Sequence, residues 1–388
     1  MKISPIIKGV VAKNAHPAGC AAAVKQQIDF VKHAPQVAQN RQRVLILGAS
    51  SGFGLASRIA LTFGGAKSDT IGVSFEKGPS EKGTGTAGWY NNIAFKQYAA
   101  SEGHIAINIV GDAFSQETRN AVNQAIDTYF GGQVDLLIYS LATGIRPKPN
   151  SEEWWRSSIK TVETPFSGLT ADLEHDRLIE THVTAASEQE IDDTVKVMGG
   201  EDWQQWVSLL LAKGQCAHQF QTLAYSYIGP ELTYPIYHHG TLGLAKQHLH
   251  RTANTINEQL TPLNGSAYIA VCKALVTKAS VFIPAFSPYL LALFKVMKAK
   301  GLHEGCIEQM HRLFYHKFQP NSLVPLSDDS RLIRLDDWEL QEEVQQEVRA
   351  LYRKITPLNF QEISDYEGVK RDFLALNGFA IDGVDYGV

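Results

Sequence analysis

The stretch Val44-Leu45-Ile46-Leu47-Gly48-Ala49-Ser50-Ser51-Gly52-Phe53-Gly54 decides the fold. Four consecutive apolar residues without polar alternation predict a strand covered on both faces, as in a parallel sheet. Three glycines follow at once in the spacing G-x3-G-x-G, and then Leu55, Ile59, Ala60 and Phe63 recur at helical spacing as far as Gly64-Gly65. Strand, glycine turn and helix in that order read as a dinucleotide-binding turn. Glycine lets the backbone approach a pyrophosphate, whose charge sits on the free N–H groups of the helix start. Gly48, Ala49, Ser50, Ser51, Gly52 and Phe53 are therefore the residues expected to hold it.

Outward from this turn the pattern repeats. A second strand, Thr70 to Phe75, ends at Glu76, and a third, Ile105 to Val110, ends in Gly111-Asp112-Ala113. A polar helix over Gln116 to Tyr129 leads to a fourth strand, Val134 to Tyr139, which runs into Ser140-Leu141-Ala142. This alternation predicts an α/β, Rossmann-type doubly wound parallel sheet with right-handed crossovers. Glu76, with Phe75 before it, stands where an acid accepts hydrogen bonds from the adenosine ribose and repels a 2′-phosphate. NADH is thus expected over NADPH, with Lys77 next door softening the preference. Asp112-Ala113 and Leu141-Ala142 fall where such sheets meet adenine and the nicotinamide ribose. The Gly/Ser/Thr-rich stretch from Gly78 to Gly88 exceeds the roughly two to six residues usual for an α/β connection, which marks it as functional or decorative.

After Ala142 the pattern breaks. Residues 143–182 are rich in Pro, Ser, Thr and charge, Ser187-x-x-Glu190 reads as a capping box, and Trp203, Trp206, Val207 and Leu210 form a core stripe. The sheet is expected to resume at Ala267 to Val271 and continue to Leu275-Val276-Thr277. A helical C-terminal third follows, with Glu339 to Tyr352 as its clearest amphipathic helix. No Pro/Gly linker divides the chain. It reads as one elaborated domain over 1–388, with 40–142 and 265–278 as the cofactor-binding core, 143–264 as an insertion, and 279–388 as a substrate-pocket segment and helical part.

Composition narrows the function classes. The 388 residues are 44% hydrophobic and 20% charged, which excludes a disordered or collagen-like chain. Thirty-six Lys and Arg against 40 Asp and Glu, a net charge of −4, speak against a nucleic-acid-binding surface. Cys20, Cys216, Cys272 and Cys306 are too scattered for a CxxC pair or a disulfide framework. The first apolar run is broken by Lys8, too early for a signal-peptide core. The longest uncharged apolar stretch, Ala279 to Phe294, is shorter than the ~18 residues of a membrane span and carries Pro284 and Pro288. A cytoplasmic protein without a membrane partner is expected. His303-x2-Cys306-x4-His311-x4-His316 would place its side chains on different faces of a helix, so no metal is expected.

Short-chain dehydrogenases activate a tyrosine with a lysine four residues on. Beyond the fourth strand only Tyr366 and Lys370 have that spacing, far past the last expected sheet strand. Tyr237-x8-Lys246 stands closer to the sheet, although among 14 tyrosines Tyr289-x8-Lys298 shares its spacing. Tyr234 lacks that spacing, and His238-His239 read as surface or helix-start residues. Phe282, Phe286, Tyr289 and Phe294 read as a loop-bounded pocket wall, because prolines interrupt their run.

A resemblance rests on His16-Pro-Ala-Gly-Cys20, the Gly48 to Gly54 turn, Gly85-Thr-Ala-Gly-Trp-Tyr-Asn91, Tyr139-Ser-Leu-Ala142, Val197-Met-Gly-Gly-Glu-Asp-Trp203, Leu293-Phe-Lys-Val-Met297 and His303-Glu-Gly-Cys-Ile-Glu-Gln309. In these segments the chain resembles the trans-2-enoyl-CoA/acyl-carrier-protein reductases of the FabV type, relatives of the short-chain dehydrogenases with a Tyr-x8-Lys pair. The resemblance implies a monomeric Rossmann-type enzyme with a lid, which reduces the trans-2 double bond of enoyl thioesters with NADH in fatty-acid elongation. The acyl group would ride on acyl-carrier protein or coenzyme A. It further implies Tyr237 as the catalytic tyrosine, Lys246 as the cofactor-binding lysine, Tyr227 as a substrate contact, and Leu275-Val276-Thr277 at the nicotinamide. The rival readings are a 3-ketoacyl (carbonyl) reductase on the same fold and a non-catalytic NADH-binding regulator.

Overall fold

Seven parallel strands form the central sheet of the computed structural model, which describes residues 3–81, 83–319 and 325–387. In chain order they are β1 (Arg43–Leu47), β2 (Asp69–Ser74), β3 (Ala106–Val110), β4 (Val134–Tyr139), β5 (Cys216–Ser226), β6 (Ser266–Val271) and β7 (Leu332–Arg334). Across the sheet the order is β3-β2-β1-β4-β5-β6-β7, and every pairing is parallel. The chain winds outward from β1 through β3 and then returns to lay β4 on the other side of β1. That reversal opens a crevice at the carboxyl ends of β1 and β4, where ligands of doubly wound sheets bind.

The expected strand at Val44 to Leu47 is β1, with all four residues fully buried. Each such side chain contributes roughly 1.5–3 kcal/mol through removal from water. Both faces are covered because alternate residues find different helices. Val44 and Ile46 meet α1 (Pro17–His33), α2 (Gly52–Phe63) and α3 (Ala87–Ser101). Leu45 and Leu47 lie in the cluster that holds α4 (Gln116–Phe130), α6 (Glu201–Ala212) and α7 (Thr241–Leu260). Trp203 and Trp206 are core residues of α6, each 0% exposed. The capping box opens α5 (Glu188–Met198): Ser187 caps the Glu190 N–H, and the Glu190 side chain returns to Ser187.

A third apolar cluster lies beyond the carboxyl ends of the strands. It joins the hairpin Phe166–Asp172/Arg177–Val183 to α8 (Ser287–Ala299) and to the helices Glu342–Tyr352 and Tyr366–Ala375. A smaller hairpin, Ile145–Pro147 with Trp154–Arg156, belongs to the same insertion. Among the described residues no helix is long and apolar enough to cross a membrane.

Several expectations are corrected. The sheet does not resume at Ala267: β5 precedes it, with eleven residues in Cys216-Ala-His-Gln-Phe-Gln-Thr-Leu-Ala-Tyr-Ser226. His218, Gln219 and Gln221 break its apolar run because the strand bulges there, with Gln219 at φ +61° and a register shift between Cys216 and Gln221. Strand β6 stops at Val271, so Leu275 to Thr277 form an irregular wall. The helix expected from Glu339 begins at Glu342, leaving Glu339 buried outside it. His303 precedes the helix Cys306–Arg312 and meets the Phe294 ring edge-on at 4.4 Å.

Candidate active site

The glycine turn is built by close approach. Gly48 has φ +86°, and a Cβ there would lie 2.4 Å from the Ser140 carbonyl oxygen. A Cβ on Gly54 would lie 2.0 Å from the Gly48 carbonyl oxygen. Only glycine lets the turn press against the end of β4, with Ser51 as N-cap of α2, whose first N–H groups have no partner within the helix. This cradle fits the pyrophosphate of a dinucleotide.

Glu76 stands two residues past the end of β2. One of its carboxylate oxygens accepts from Ser50 Oγ at 2.6 Å, and the other accepts from Thr86 Oγ1. A Cβ on Gly88 would lie 2.0 Å from Glu76 Oε1, so the glycine makes room for the acid at the start of α3. The Gly/Ser/Thr-rich stretch therefore has a structural task, helping through Thr86 to hold Glu76 against the glycine turn. Phe75 is 75% exposed and lines a groove with Glu76, Thr86 and Lys278. Asp112 accepts from the Phe114 N–H at 3.0 Å, and Ala113 is buried beside it.

An apolar cavity of about 190 Å³ opens from the crevice. Phe53, Leu141, Ala142, Tyr227, Tyr237, Lys246, Leu275 and Thr277 all line it. Val276 points elsewhere, into a smaller cavity with Thr170 and Leu290. The insertion supplies Ile159 and Met198 to the wall, and the segment before α8 supplies Ile283 and Phe286. Of the four aromatics in that region, Phe286 alone lines this cavity; Phe282 is 51% exposed, and Tyr289 and Phe294 are core.

Tyr237 sits in the turn before α7, its N–H donating to the Thr233 carbonyl and its own carbonyl accepting from Gly240 and Gly243. A Cβ on Gly243 would lie 2.0 Å from the His238 carbonyl oxygen, so this glycine seats the turn on the helix. Burial, with Cys272 adding, raises the Tyr237 phenol above its ordinary value of 10, which keeps it a neutral O–H donor. Among the described residues no protein group hydrogen-bonds its hydroxyl. Lys246 projects from α7 and donates to the Tyr225 carbonyl at 3.1 Å. Desolvation pulls its ammonium down to about 8.

Tyr227 lies edge-on to Tyr237, ring centroids 4.8 Å apart, and donates its hydroxyl to Glu339 Oε1 at 3.0 Å. Glu339, Cys272 and Lys273 escaped sequence reasoning. Lys273 is 2% exposed on the cavity wall, donates to the Ala274 carbonyl at 3.1 Å, and is lowered to about 8 by burial. No local pattern marks these residues: Glu339 is placed by Tyr227, Tyr289 and Ala274, the Lys273 N–H by Gln309 and the Cys272 N–H by Ser226, all distant in the chain. Tyr234 stacks loosely on His238 and His239, away from the cavity lining. Tyr366 and Lys370 both bind Asp176, a structural use of the pair.

Three family models match in succession: the NAD(P)H binding domain of trans-2-enoyl-CoA reductase over residues 2–81, the trans-2-enoyl-CoA reductase catalytic region over 83–318, and an enoyl reductase FAD binding domain over 327–388. The chain is 58% identical over 387 residues to an enoyl-[acyl-carrier-protein] reductase [NADH] 2 of Photobacterium profundum, covering 100% of this chain and 96% of the relative. It is 52% identical over 382 residues to a trans-2-enoyl-CoA reductase [NADH] of Clostridium beijerinckii, covering 98% and 95%. The crystal structure of Clostridium acetobutulicum trans-2-enoyl-CoA reductase in complex with NADH superimposes with a TM-score of 0.96 at 46% identity, covering 100% of this chain and 97% of that one. A glycine cradle, a second-strand acid and a tyrosine–lysine cavity thus stand at the switch point of a chain whose full length matches proteins of one kind, and the chain belongs to the trans-2-enoyl-CoA reductase family.

Proposed function

We propose that this chain reduces the trans-2 double bond of enoyl thioesters with NADH, and that Tyr237 and Lys246 carry the chemistry. The observation that supports this most is the convergence of both residues on one apolar cavity beside the glycine cradle. Bound NADH supplies a hydride to the β-carbon of the unsaturated thioester. Tyr237 hydrogen-bonds the thioester oxygen as negative charge develops there, and a proton from Tyr237 or water then adds at the α-carbon of the enolate to complete the saturated thioester. One such oxyanion donor is worth roughly 3 kcal/mol, and a positioned proton donor roughly 10²–10⁴-fold. Lys246 holds the nicotinamide ribose and places a positive charge beside the phenol. Gly48, Ala49, Ser50, Ser51, Gly52 and Phe53 hold the pyrophosphate, Phe75 and Glu76 the adenosine ribose, and Asp112 and Ala113 the adenine. Leu141, Ala142, Leu275 and Thr277 flank the nicotinamide, while Val276, which points into the smaller cavity, does not.

The thioester is carried by acyl-carrier protein or coenzyme A, and the enzyme works as a single-domain monomer in the cytoplasm. An assay of NADH oxidation with crotonyl-CoA against acetoacetyl-CoA tests the reaction. Turnover of crotonyl-CoA alone is expected. Preference for acetoacetyl-CoA would establish a carbonyl reductase instead, and a single stoichiometric binding event without turnover would establish a regulator.

A further inference from the structure

Glu339 is 0% exposed, yet it carries a carboxylate into the third apolar cluster. Its Oε1 accepts from Tyr227 at 3.0 Å and from Tyr289 at 2.6 Å, and its Oε2 accepts from the Ala274 backbone N–H at 2.7 Å. Gln345 Nε2 donates to the Glu339 carbonyl at 2.7 Å, which fixes the backbone that presents the side chain. All three side-chain partners are donors, the set that suits an ionised carboxylate, which only accepts.

Two of those partners belong to the cavity wall. Tyr227 directly follows β5, and Ala274 follows β6 just before Leu275. One carboxylate therefore bridges the segments leaving two adjacent strands. Tyr227 in turn stands perpendicular to Tyr237, centroids 4.8 Å apart at 79°, and packs on Phe286 at 5.8 Å. A phenol has one proton to donate. In this structure Tyr227 gives that proton to Glu339, so its ring, not its hydroxyl, faces Tyr237.

We infer that Glu339 is a positioning residue for the reduction: it anchors the Tyr227 hydroxyl, and the anchored ring holds Tyr237 at the angle from which it donates to the thioester oxygen. This rests on the enoyl-reductase reading and changes the part Tyr227 plays in it. Near-attack geometry is sensitive to displacements of about 1 Å, so a released Tyr227 ring is expected to lower turnover without weakening cofactor binding.

The test is a double-mutant cycle of Tyr227→Phe and Glu339→Gln, read as kcat and KM for crotonyl-CoA, with NADH affinity and thermal melting measured on each variant. Each single variant is expected to lower kcat about tenfold with NADH affinity held within about twofold. The double variant is expected to match Tyr227→Phe within about twofold, because both changes cut the same tether. Losses that multiply to about a hundredfold, or full kcat in Glu339→Gln, overturn the proposal. Should Glu339→Gln fail to fold, Tyr227→Phe decides by itself: a cut tether lowers kcat at unchanged KM, whereas a raised KM at unchanged kcat assigns the hydroxyl to substrate and overturns it. Absence of crotonyl-CoA turnover in the unaltered protein is a different result, which removes the enoyl-reductase reading itself.

Discussion

At Tyr237 the electrostatics favour a neutral donor over a phenolate. Burial raises the phenol, and the nearby Lys246 loses its own charge easily, having been lowered to about 8. Tyr237→Phe is expected to reduce kcat by about 10²-fold or more while the Kd for NADH stays within about twofold; stopped-flow turnover and fluorescence titration of NADH check it. Lys246 sets a pH dependence. Its ammonium is present below about 8 and lost above it, so NADH affinity is expected to be flat to about pH 7 and to weaken toward tenfold per unit beyond the transition. Lys246→Arg, whose charge does not titrate there, should flatten the profile, and a Kd series from pH 6 to 9.5 decides it. Glu76 bears on cofactor choice. A 2′-phosphate about 4 Å from a carboxylate, at an effective dielectric near 20, costs about 4 kcal/mol per unit charge, and a third of that is about tenfold. Glu76→Ala is expected to narrow the NADH/NADPH ratio in kcat/KM chiefly by improving NADPH. An unchanged ratio would remove Glu76 from the ribose site. The Ser50–Glu76 bond of 2.6 Å ties Glu76 to the glycine turn, so Glu76→Ala should also weaken NADH modestly.

Among the elements, the turn between β1 and α2 was the most legible, because its chemistry is local. Glycines are required where backbone meets backbone, and Gly54 shows how little room is left. Its missing Cβ would overlap the Gly48 carbonyl oxygen at 2.0 Å, which no rotamer change relieves. Gly54→Ala is expected to destabilise the fold by more than about 2 kcal/mol and to abolish NADH retention, checked by denaturant melts and binding titration. Helix α4 matched its expected start at Gln116, capped by Ser115, which accepts from the Thr118 N–H. Strand β5 was illegible for the opposite reason. Its bulge and its polar His218, Gln219 and Gln221 remove the periodicity by which strands are recognised, and pairing with β4 and β6 supplies the order instead. The two hairpins of the insertion were equally weak in sequence. Arg146 anchors the smaller one by donating to the Lys196 carbonyl at 2.8 Å and pairing with Glu201, between the rings of Phe114 and Trp155.

Across the whole molecule, the two ends of the described chain close on each other. The His16 N–H donates to the Asn377 carbonyl at 2.9 Å, Tyr386 donates to the Gly378 carbonyl at 2.9 Å, and the His16 ring meets Tyr386 at 4.8 Å. Gly378 has φ +77°, and a Cβ on it would lie 2.5 Å from the Cys20 nitrogen. Gly378→Ala is expected to cost about 1–3 kcal/mol and lower Tm while leaving kcat near that of the unaltered protein, since this clasp lies outside the cavity wall. A Tm unchanged by the substitution would show that the clasp adds nothing to the global fold. By itself the sequence determined the α/β alternation, the tight glycine turn at Gly48 to Gly54 and the acid after the second strand, because each depends on residues close together in the chain, whereas Tyr237 and Lys246 were singled out by the family resemblance and not by their spacing. Only the tertiary structure decided that β5 enters the sheet beside β4, that Tyr227 donates its one proton to a carboxylate 112 residues away, and that the same Glu339 reaches back 65 residues to the Ala274 N–H. Those contacts arise where separate segments converge, and burial gives them their strength: in a dry interior an acceptor without its donors is costly, so the fold fixes pairings that no local spacing encodes.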